Sequence, residues 1–379
     1  MKGGNIVLCN IAFKFRVYPT KEQQILINKT FGCCRFVYNH FLAIRRDAWI
    51  NNKHSINYEQ TCLMLTKLKN DEQYKWLKDV DCTSLQNSLE DLDCAYKNFF
   101  KKCAKYPRFK LKRVHSQSYR TRNNRDTTVR IIGNKIRLPK IGLVRAKIHR
   151  SIVGRILNAT VSRTASDKYF VSLCVTVDKS ILMRSNAGGI IGIDVGLSAL
   201  YTDSNGKKVG NLRAFKRRAR RLKLTQQRLS RKKKGSKNYK KQCKKVDKVH
   251  EKIANTRKDY IHKQSLILVH ENQIIAIETL RVKNMVKNRK LGKAIHDASW
   301  AELFRQLQYK AEFTGSKVLH VDPFYPSSQI CSSCEHRNAD VKNLDLRMWT
   351  CPNCGAVHDR DINAAKNILR QALKTIVTQ

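Results

Sequence analysis

Four cysteines carry the most specific spacing in the chain: Cys331-Ser-Ser-Cys334, sixteen intervening residues, then Cys351-Pro-Asn-Cys354. Two such knuckles supply four thiolates at the corners of a tetrahedron, a closed zinc site with no open position for a substrate. The Zn²⁺ expected here folds a ribbon and performs no reaction. Gly355 follows the second knuckle, as is usual in such turns, but Glu335 stands at the matching place after the first.

The candidates for chemistry are carboxylates. Asp194 ends the apolar run Ile190–Asp194 and is followed by Val195-Gly196, a glycine that would let the chain turn away beneath an ion. Glu278 ends a second apolar run, Ile274-Ile-Ala-Ile277. Asp361 opens a last helical segment beside Asn363-Ala364-Ala365, small residues suited to close packing on a sheet. An acid at the end of an apolar strand is costly to desolvate unless something positive meets it. Each of the three, taken singly, is better explained as a turn or cap acid. Together, at matching stations of one fold order, they predict a shared site for Mg²⁺ or Mn²⁺, whose hard-oxygen coordination serves phosphodiester hydrolysis. A neighbouring acid, Asp359, competes for the third place. Helical residues advance about 100° each, which puts Asp361 within about 40° of Ala365 and about 20° of Ile368, on the stripe that must face a sheet. Asp359 would point about 160° away and is expected in the loop before the helix.

The elements that must position these residues fall into two grammars. Ile11–Tyr18 alternates as a half-buried strand, Pro19 ends it, and Thr20 with Gln23 has the capping-box spacing of a helix start. Helical spacing follows over Glu22–Ile50, Tyr58–Lys69, Tyr74–Leu77 and Ser84–Cys103, and Pro107 stops it. Period two returns at Val129–Ile132 and Lys135–Leu138 around Gly133-Asn134, then at Ala159–Thr164 and Tyr169–Val177. With the first strand these predict a small β-barrel or sandwich interrupted by a helical bundle. After a linker at Asn186–Gly189, the order is three strands (to Gly210), a basic helical stretch (Leu212–His270), a strand (Gln273–Glu278), a helix (Trp300–Gly315), a strand (Lys317–Asp322), the cysteine insert and a last helix (Asp361–Lys374). That is the order of a ribonuclease-H-like α/β layer, so the fold class is multidomain α+β.

Charge narrows the partner. The 379 residues hold 76 Lys+Arg against 29 Asp+Glu, a net charge of +47, and 41% hydrophobic content argues for a folded chain. Self-repulsion on this scale calls for a polyanion, and nucleic acid is the expected one. No apolar run approaches the roughly 20 residues of a membrane span. The N-terminus lacks a basic-then-apolar leader, and thirteen cysteines, an odd number scattered singly apart from the group of four, do not form a secreted disulfide framework. A cytoplasmic location is expected. Between Lys207 and Lys263 there are 24 Lys/Arg and three acids, which favours a phosphate-tracking surface over a merely solvated face. A second basic patch, Tyr106 to Arg125, interleaves Tyr106, Phe109, His115 and Tyr119; these aromatics serve equally as base-stacking groups or as barrel-edge core.

Phe13-Lys-Phe-Arg-Val-Tyr-Pro-Thr20, Gly192-Ile-Asp-Val-Gly196, Ser230-Arg-Lys-Lys-Lys-Gly-Ser236, Ile277-Glu-Thr-Leu280, Asp297-Ala-Ser-Trp300, Phe324-Tyr-Pro-Ser-Ser328, both cysteine knuckles and Asp359-Arg-Asp-Ile-Asn-Ala-Ala365 occur in that order. In this the chain resembles TnpB, the transposon-encoded RNA-guided DNA endonuclease related to type V CRISPR effectors, over nearly its whole length. The resemblance implies a β-barrel wedge domain (1–19 and 106–183) with an inserted helical recognition domain (20–105). It further implies a RuvC-type nuclease domain (189–379) with a zinc ribbon insert (326–357). The family's metal-binding acids fall on Asp194, Glu278 and Asp361. A transposon-derived guide RNA, target double-stranded DNA with a short adjacent motif, catalytic Mg²⁺ (or Mn²⁺), structural Zn²⁺ and a prokaryotic, nucleoid-associated setting are implied with them.

Two rivals compete. A strand-transferring transposase of the DDE class shares the fold order but usually ends in Glu where this chain has Asp361, and single-strand transposases need two histidines one residue apart, which none of the eleven histidines supplies. A guided or helix-turn-helix DNA-binding protein that never cuts would have no use for all three acids.

Overall fold

Alternation of Phe13, Phe15 and Val17 with Lys14 and Arg16 makes β1 (Leu8–Tyr18), whose apolar face is buried. The computed structural model describes residues 7–112, 117–183, 185–343 and 345–377. After Pro19 the chain turns into α1 (Lys21–Asn52), started by a reciprocal capping box: the Gln23 N–H donates to Thr20 Oγ1 and the Thr20 N–H to Gln23 Oε1, at 3.3 and 3.1 Å. Next come α2 (Tyr58–Leu68) and α3 (Cys82–Phe100), the latter packing Leu85, Leu89 and Leu92 inward next to α1. The stretch read as a helix at Tyr74–Leu77 is a tighter 3₁₀ segment, Glu72–Asp79.

The chain then runs through β2 (Gln117–Arg122), β3 (Arg130–Ile132), β4 (Lys135–Leu138), β5 (Gly142–Lys147), β6 (Arg155–Arg163) and β7 (Tyr169–Asp178). With β1 they form one antiparallel sheet in the order β2-β6-β7-β1-β5-β4-β3. The sheet curls into a half-barrel with β2 and β3 as its ends. β2 and β5 escaped the sequence reading. β2 sits in the basic-aromatic patch, where Arg120 and Arg122 mask the inward alternation of Tyr119 and Thr121. Tyr119 is core, edge-on to Phe31 at 5.6 Å, which settles its role against base stacking. His115 lies outside the described residues.

A single turn, α4 (Lys179–Leu182), spans the boundary between two compact units, the first ending at Ile181 and the second beginning at Leu182. The segment read as a linker is held within the second unit: the Asn186 amide donates to the Thr314 carbonyl and the Ala187 N–H to the His270 carbonyl.

The second unit opens with β8 (Gly189–Val195), β9 (Ala199–Asp203) and β10 (Lys208–Gly210), paired antiparallel. The basic stretch is two helices, α5 (Ala214–Ser230) and α6 (Lys237–Glu271), not one. Gly235, with φ +85°, makes the break, and Ser236 caps α6 by accepting the Tyr239 N–H at 3.0 Å. Leu222, Val246, Val249 and Ile253 form the apolar seam that pairs them. Then follow β11 (Asn272–Glu278), the short α7 (Val282–Met285) and α8 (Gly292–Ala298), α9 (Trp300–Thr314) and β12 (Lys317–Val321). The strand order β10-β9-β8-β11-β12, with β8, β11 and β12 parallel, is consistent with the ribonuclease-H-like arrangement the element order implies. Beyond it lie β13 (Met348–Thr350), β14 (Val357–Asp359) and α10 (Arg360–Val377). Ile193, Ile277, Leu268, Leu303 and Leu307 share the core beneath α6 and α9, whereas Ile368 and Ala372 of α10 pack with Ala276 and Val321. The sheet is thus covered on both faces. Among the described residues no helix is long and apolar enough to cross a membrane.

A buried lysine joins α6 to α9. The Lys310 ammonium donates to the His262 carbonyl and Ser265 Oγ, both at 2.7 Å, and burial lowers its pKa to about 8 against a weak opposing pull from Glu302. An unfolded lysine titrates near 10.4, so between these values the unfolded chain binds more protons. Stability contributed here therefore rises with pH through that window. Urea midpoints measured at pH 7.5 and 9.5 should show this rise, and Lys310→Met should remove its share of it.

Candidate active site and zinc ribbon

β8 and β11 run side by side with Ile193 opposite Ile277, so the next residues, Asp194 and Glu278, leave the carboxyl ends of adjacent parallel strands together. This is the place where open α/β sheets receive ligands. The two carboxyls act on each other, and the Val195 backbone amide favours the charged form of Glu278. Burial, followed by the charges of Glu278 and Asp361, pushes Asp194 well above the usual carboxylate range, with Arg360 opposing. Burial likewise raises Glu278 to about 7. Two carboxyls buried side by side favour either protons or a cation, and their hard oxygens suit a divalent one.

Asp361 reaches this neighbourhood because α10 lies directly on β8. A Cβ at Gly192 would fall 2.2 Å from the Ala365 carbonyl oxygen, so glycine is what permits the approach. Asp361 also faces Arg347 at 3.6 Å. Asp359 does something else. It ends β14, accepts the N–H groups of Asp361 and Ile362 at 3.1 Å each, and pairs with Lys208 at 2.7 Å. It is a helix cap. Among the described residues, only the cysteine quartet brings three or more ligand atoms within 4.8 Å of one another. The three carboxyls share an electrostatic neighbourhood.

One sequence expectation changes here. Gly196 has no left-handed φ, and a Cβ there would meet nothing nearer than 3.4 Å, so the turn after Asp194 does not depend on glycine. Asp297, from one of the motifs behind the resemblance, is buried and accepts the Phe215 N–H (2.9 and 3.0 Å to its two oxygens) and the Lys216 N–H (3.4 Å). It caps α5 from a distance and stands apart from the acids.

In the ribbon the sulfurs of Cys331, Cys334, Cys351 and Cys354 converge, with Cys331–Cys354 at 3.7 Å and Cys334–Cys351 at 3.6 Å. Four thiolates about 2.3 Å from one zinc ion are about 3.8 Å apart, so the quartet fits Zn²⁺. Sequence reasoning missed the surroundings. His358 Nε2 is 3.0 Å from Cys331 Sγ and its ring lies against Trp349. Neither knuckle turn is free of left-handed backbone: Gly355 has φ +71° and Glu335 φ +61°. Glu335 tolerates it while its carboxylate holds Arg370 at 2.9 Å and Lys374 at 3.2 Å. Cys351→Ser should cost the metal and unfold the ribbon, since zinc binding and ribbon folding are one equilibrium. Elemental analysis should find about one zinc per parent chain, from the four-ligand count, and none in the variant.

Comparison with known proteins agrees with this architecture. Three family models match: "Helix-turn-helix domain" over residues 9–54, "Probable transposase" over 172–289, and "Cas12f1-like, TNB domain" over 300–368. Residues 9–54 contain β1 and the single uninterrupted α1, not two helices around a turn. A Streptomyces pristinaespiralis protein named "Putative RNA-guided DNA endonuclease" is 38% identical over 368 residues, covering 96% of this chain and 89% of its own. An Escherichia coli K12 protein of the same description, InsQ, is 35% identical, with 94% and 91% covered. A mimivirus TnpB-like protein, L770, is 24% identical over 95% of this chain and 73% of its own. In fold the chain is similar to Cas12f1 in a cryo-EM structure of its complex with sgRNA and target DNA, with a TM-score of 0.58 at 12% identity, covering 96% of this chain and 99% of that one. With two relatives above 30% identity along nearly the full length, the chain belongs to the TnpB family, relatives of Cas12f.

Proposed function

We propose that this protein is an RNA-guided, Mg²⁺-dependent DNA endonuclease that cuts DNA beside a short target-adjacent motif, using a guide RNA from its own transposon. What supports the reading is the pair Asp194 and Glu278 at the carboxyl ends of adjacent strands β8 and β11, with Asp361 at the start of α10 in the electrostatic reach of Asp194, in a chain of net charge +47. Asp194, Glu278 and Asp361 hold the metal. Mg²⁺ bound there supplies activation of water and stabilisation of the leaving oxygen. Arg360, beside Asp194, limits the negative charge of the site.

Sequence would be read by RNA–DNA pairing, while the protein holds backbone shape and the flanking motif. The α5–α6 hairpin suits the backbone role. Arg228, Arg231, Lys232, Lys241 and Lys245 line a groove of about 470 Å³ at its turn, where they can meet phosphates. Residues 1–19 and 106–183 would form the wedge, 20–105 the recognition part, and 189–379 the nuclease with its ribbon at 326–357.

Purification from a cell carrying the flanking transposon DNA, followed by sequencing of bound RNA and cleavage of a matching duplex with Mg²⁺ or EDTA, tests the reading. The expected result is one dominant bound RNA and cutting that needs both that RNA and the metal. A well-behaved RNA-free preparation that cuts a specific DNA sequence unaided would sink it.

A further inference from the structure

One face of α10 has no part in the reaction proposed above, yet its side chains are hydrogen-bonded to the ribbon residue after residue. Asn363 and Asn367, 1% and 0% exposed, lie one turn apart on it, with Arg370 one turn further. Asn363 Oδ1 accepts the Ser332 N–H at 2.8 Å, and its amide donates to the Ile330 carbonyl at 2.7 Å. Asn367 donates to the Ser327 and Ile330 carbonyls at 2.8 and 2.5 Å. The Arg370 guanidinium donates to the Ser332 carbonyl and also meets Glu335. Their partners flank Cys331 and Cys334, so α10 grips the backbone of the first zinc knuckle.

The grip is on the far side of the helix from the sheet. At about 100° per residue, Asn363, Asn367 and Arg370 point about 180–240° from Asp361, whereas Ala365, Ile368 and Ala372 point within about 40° of it. The ribbon also reaches the start of the helix. The Arg360 guanidinium donates to the Asn343 carbonyl, the Arg360 N–H donates to the Arg347 carbonyl at 2.9 Å, and the Arg347 side chain faces Asp361. His358, one strand residue before Asp359, holds Cys331 Sγ itself.

We propose that the zinc ribbon is a clamp on α10: Asn363, Asn367 and Arg370 bind the first knuckle, so that zinc fixes the helical turn that presents Asp361. The buried amides have no water to turn to when the knuckle loosens, so the helix and the knuckle order together. By reciprocity, a helix that lets go of the knuckle weakens zinc retention by the same factor. The catalytic meaning of the clamp rests on the proposed function; the coupling itself does not.

Hydrogen exchange on the full chain tests the coupling without reference to cleavage. Stripping zinc from the parent with a chelator should speed exchange of the amides of α10 on the order of tenfold, from the several buried hydrogen bonds released, and leave α9 unchanged. The double variant N363A/N367A should still bind zinc, show the same faster exchange in α10, and release zinc to a chelator faster by a similar factor. Lys366→Ala, an exposed position on the same helix, should do neither. Equal acceleration in α9 and α10 would make zinc a general stabiliser and overturn the clamp. So would an α10 as protected without zinc as with it, or a double variant that exchanges and releases zinc like the parent. Where the parent cuts guided DNA, N363A/N367A should bind it and cut poorly; a parent that never cuts removes the nuclease reading and leaves the exchange result standing.

Discussion

Asp361→Ala is expected to abolish cleavage of both DNA strands while guided binding survives, and Asp359→Ala to retain measurable cutting. The two acids are two residues apart in one motif, so the contrast isolates position from composition. Asp361 interacts electrostatically with Asp194 and belongs to the group that is to hold the metal. Losing a ligand that stabilises transition-state charge forfeits several kcal/mol, on the order of a thousandfold or more in rate. Asp359 spends its carboxylate on the N–H groups of Asp361 and Ile362 and on Lys208. Its loss removes a helix cap, about 1 kcal/mol of stability, and leaves the carboxyls of Asp194, Glu278 and Asp361 in place. Single-turnover cleavage of a labelled duplex, with binding measured in parallel, checks both. A dead Asp359→Ala beside a normal Asp361→Ala would show that the roles are exchanged.

How far these roles are legible in the sequence depends on the range of the interaction that sets them. Capping at Thr20, the Gly133-Asn134 hairpin and the two knuckles are local, and their residue types specify them directly. The helix phase that favours Asp361 is also local, because it needs only the 3.6-residue repeat and the apolar stripe through Ile368 and Ala372. β2 and β5 are a different matter. β2 takes its place from pairing with β6, far along the chain, and its arginines disguise the inward face. The break between α5 and α6 was hidden because lysine and arginine favour helix on both sides of Gly235, and only the packing of Leu222 against the α6 seam requires the chain to double back. His358, Arg347 and the asparagine face of α10 were invisible for the same reason. An asparagine or histidine in a helix or strand gives no local sign of which distant backbone it will meet.

Gly192→Ala should be the most damaging one-carbon change in the second unit, although Gly192 touches no metal, RNA or DNA in the proposed mechanism. The added Cβ would lie 2.2 Å from the Ala365 carbonyl oxygen, 2.7 Å from Leu369 Cβ and 2.9 Å from the Leu369 N. Two of those atoms are backbone of α10, so no side chain can swing aside, and the helix must move off β8. Overpacking of this kind costs about 1–3 kcal/mol. The catalytic penalty should be larger than the stability penalty, because Asp361 rides on that helix and Asp194 on that strand. A misplacement of about 1 Å between reacting groups costs about a hundredfold in rate. Gly196→Ala supplies the contrast. It is nearer to Asp194 in sequence, but its Cβ has room and its backbone needs no glycine, so cutting should stay within about threefold of the parent, the change expected for well under 1 kcal/mol. Thermal unfolding and single-turnover cleavage of the two variants give the comparison. A Gly192→Ala protein that cuts as fast as the parent would mean that α10 can leave β8 without moving Asp361, and that the helix–strand contact does not set the geometry of the three acids.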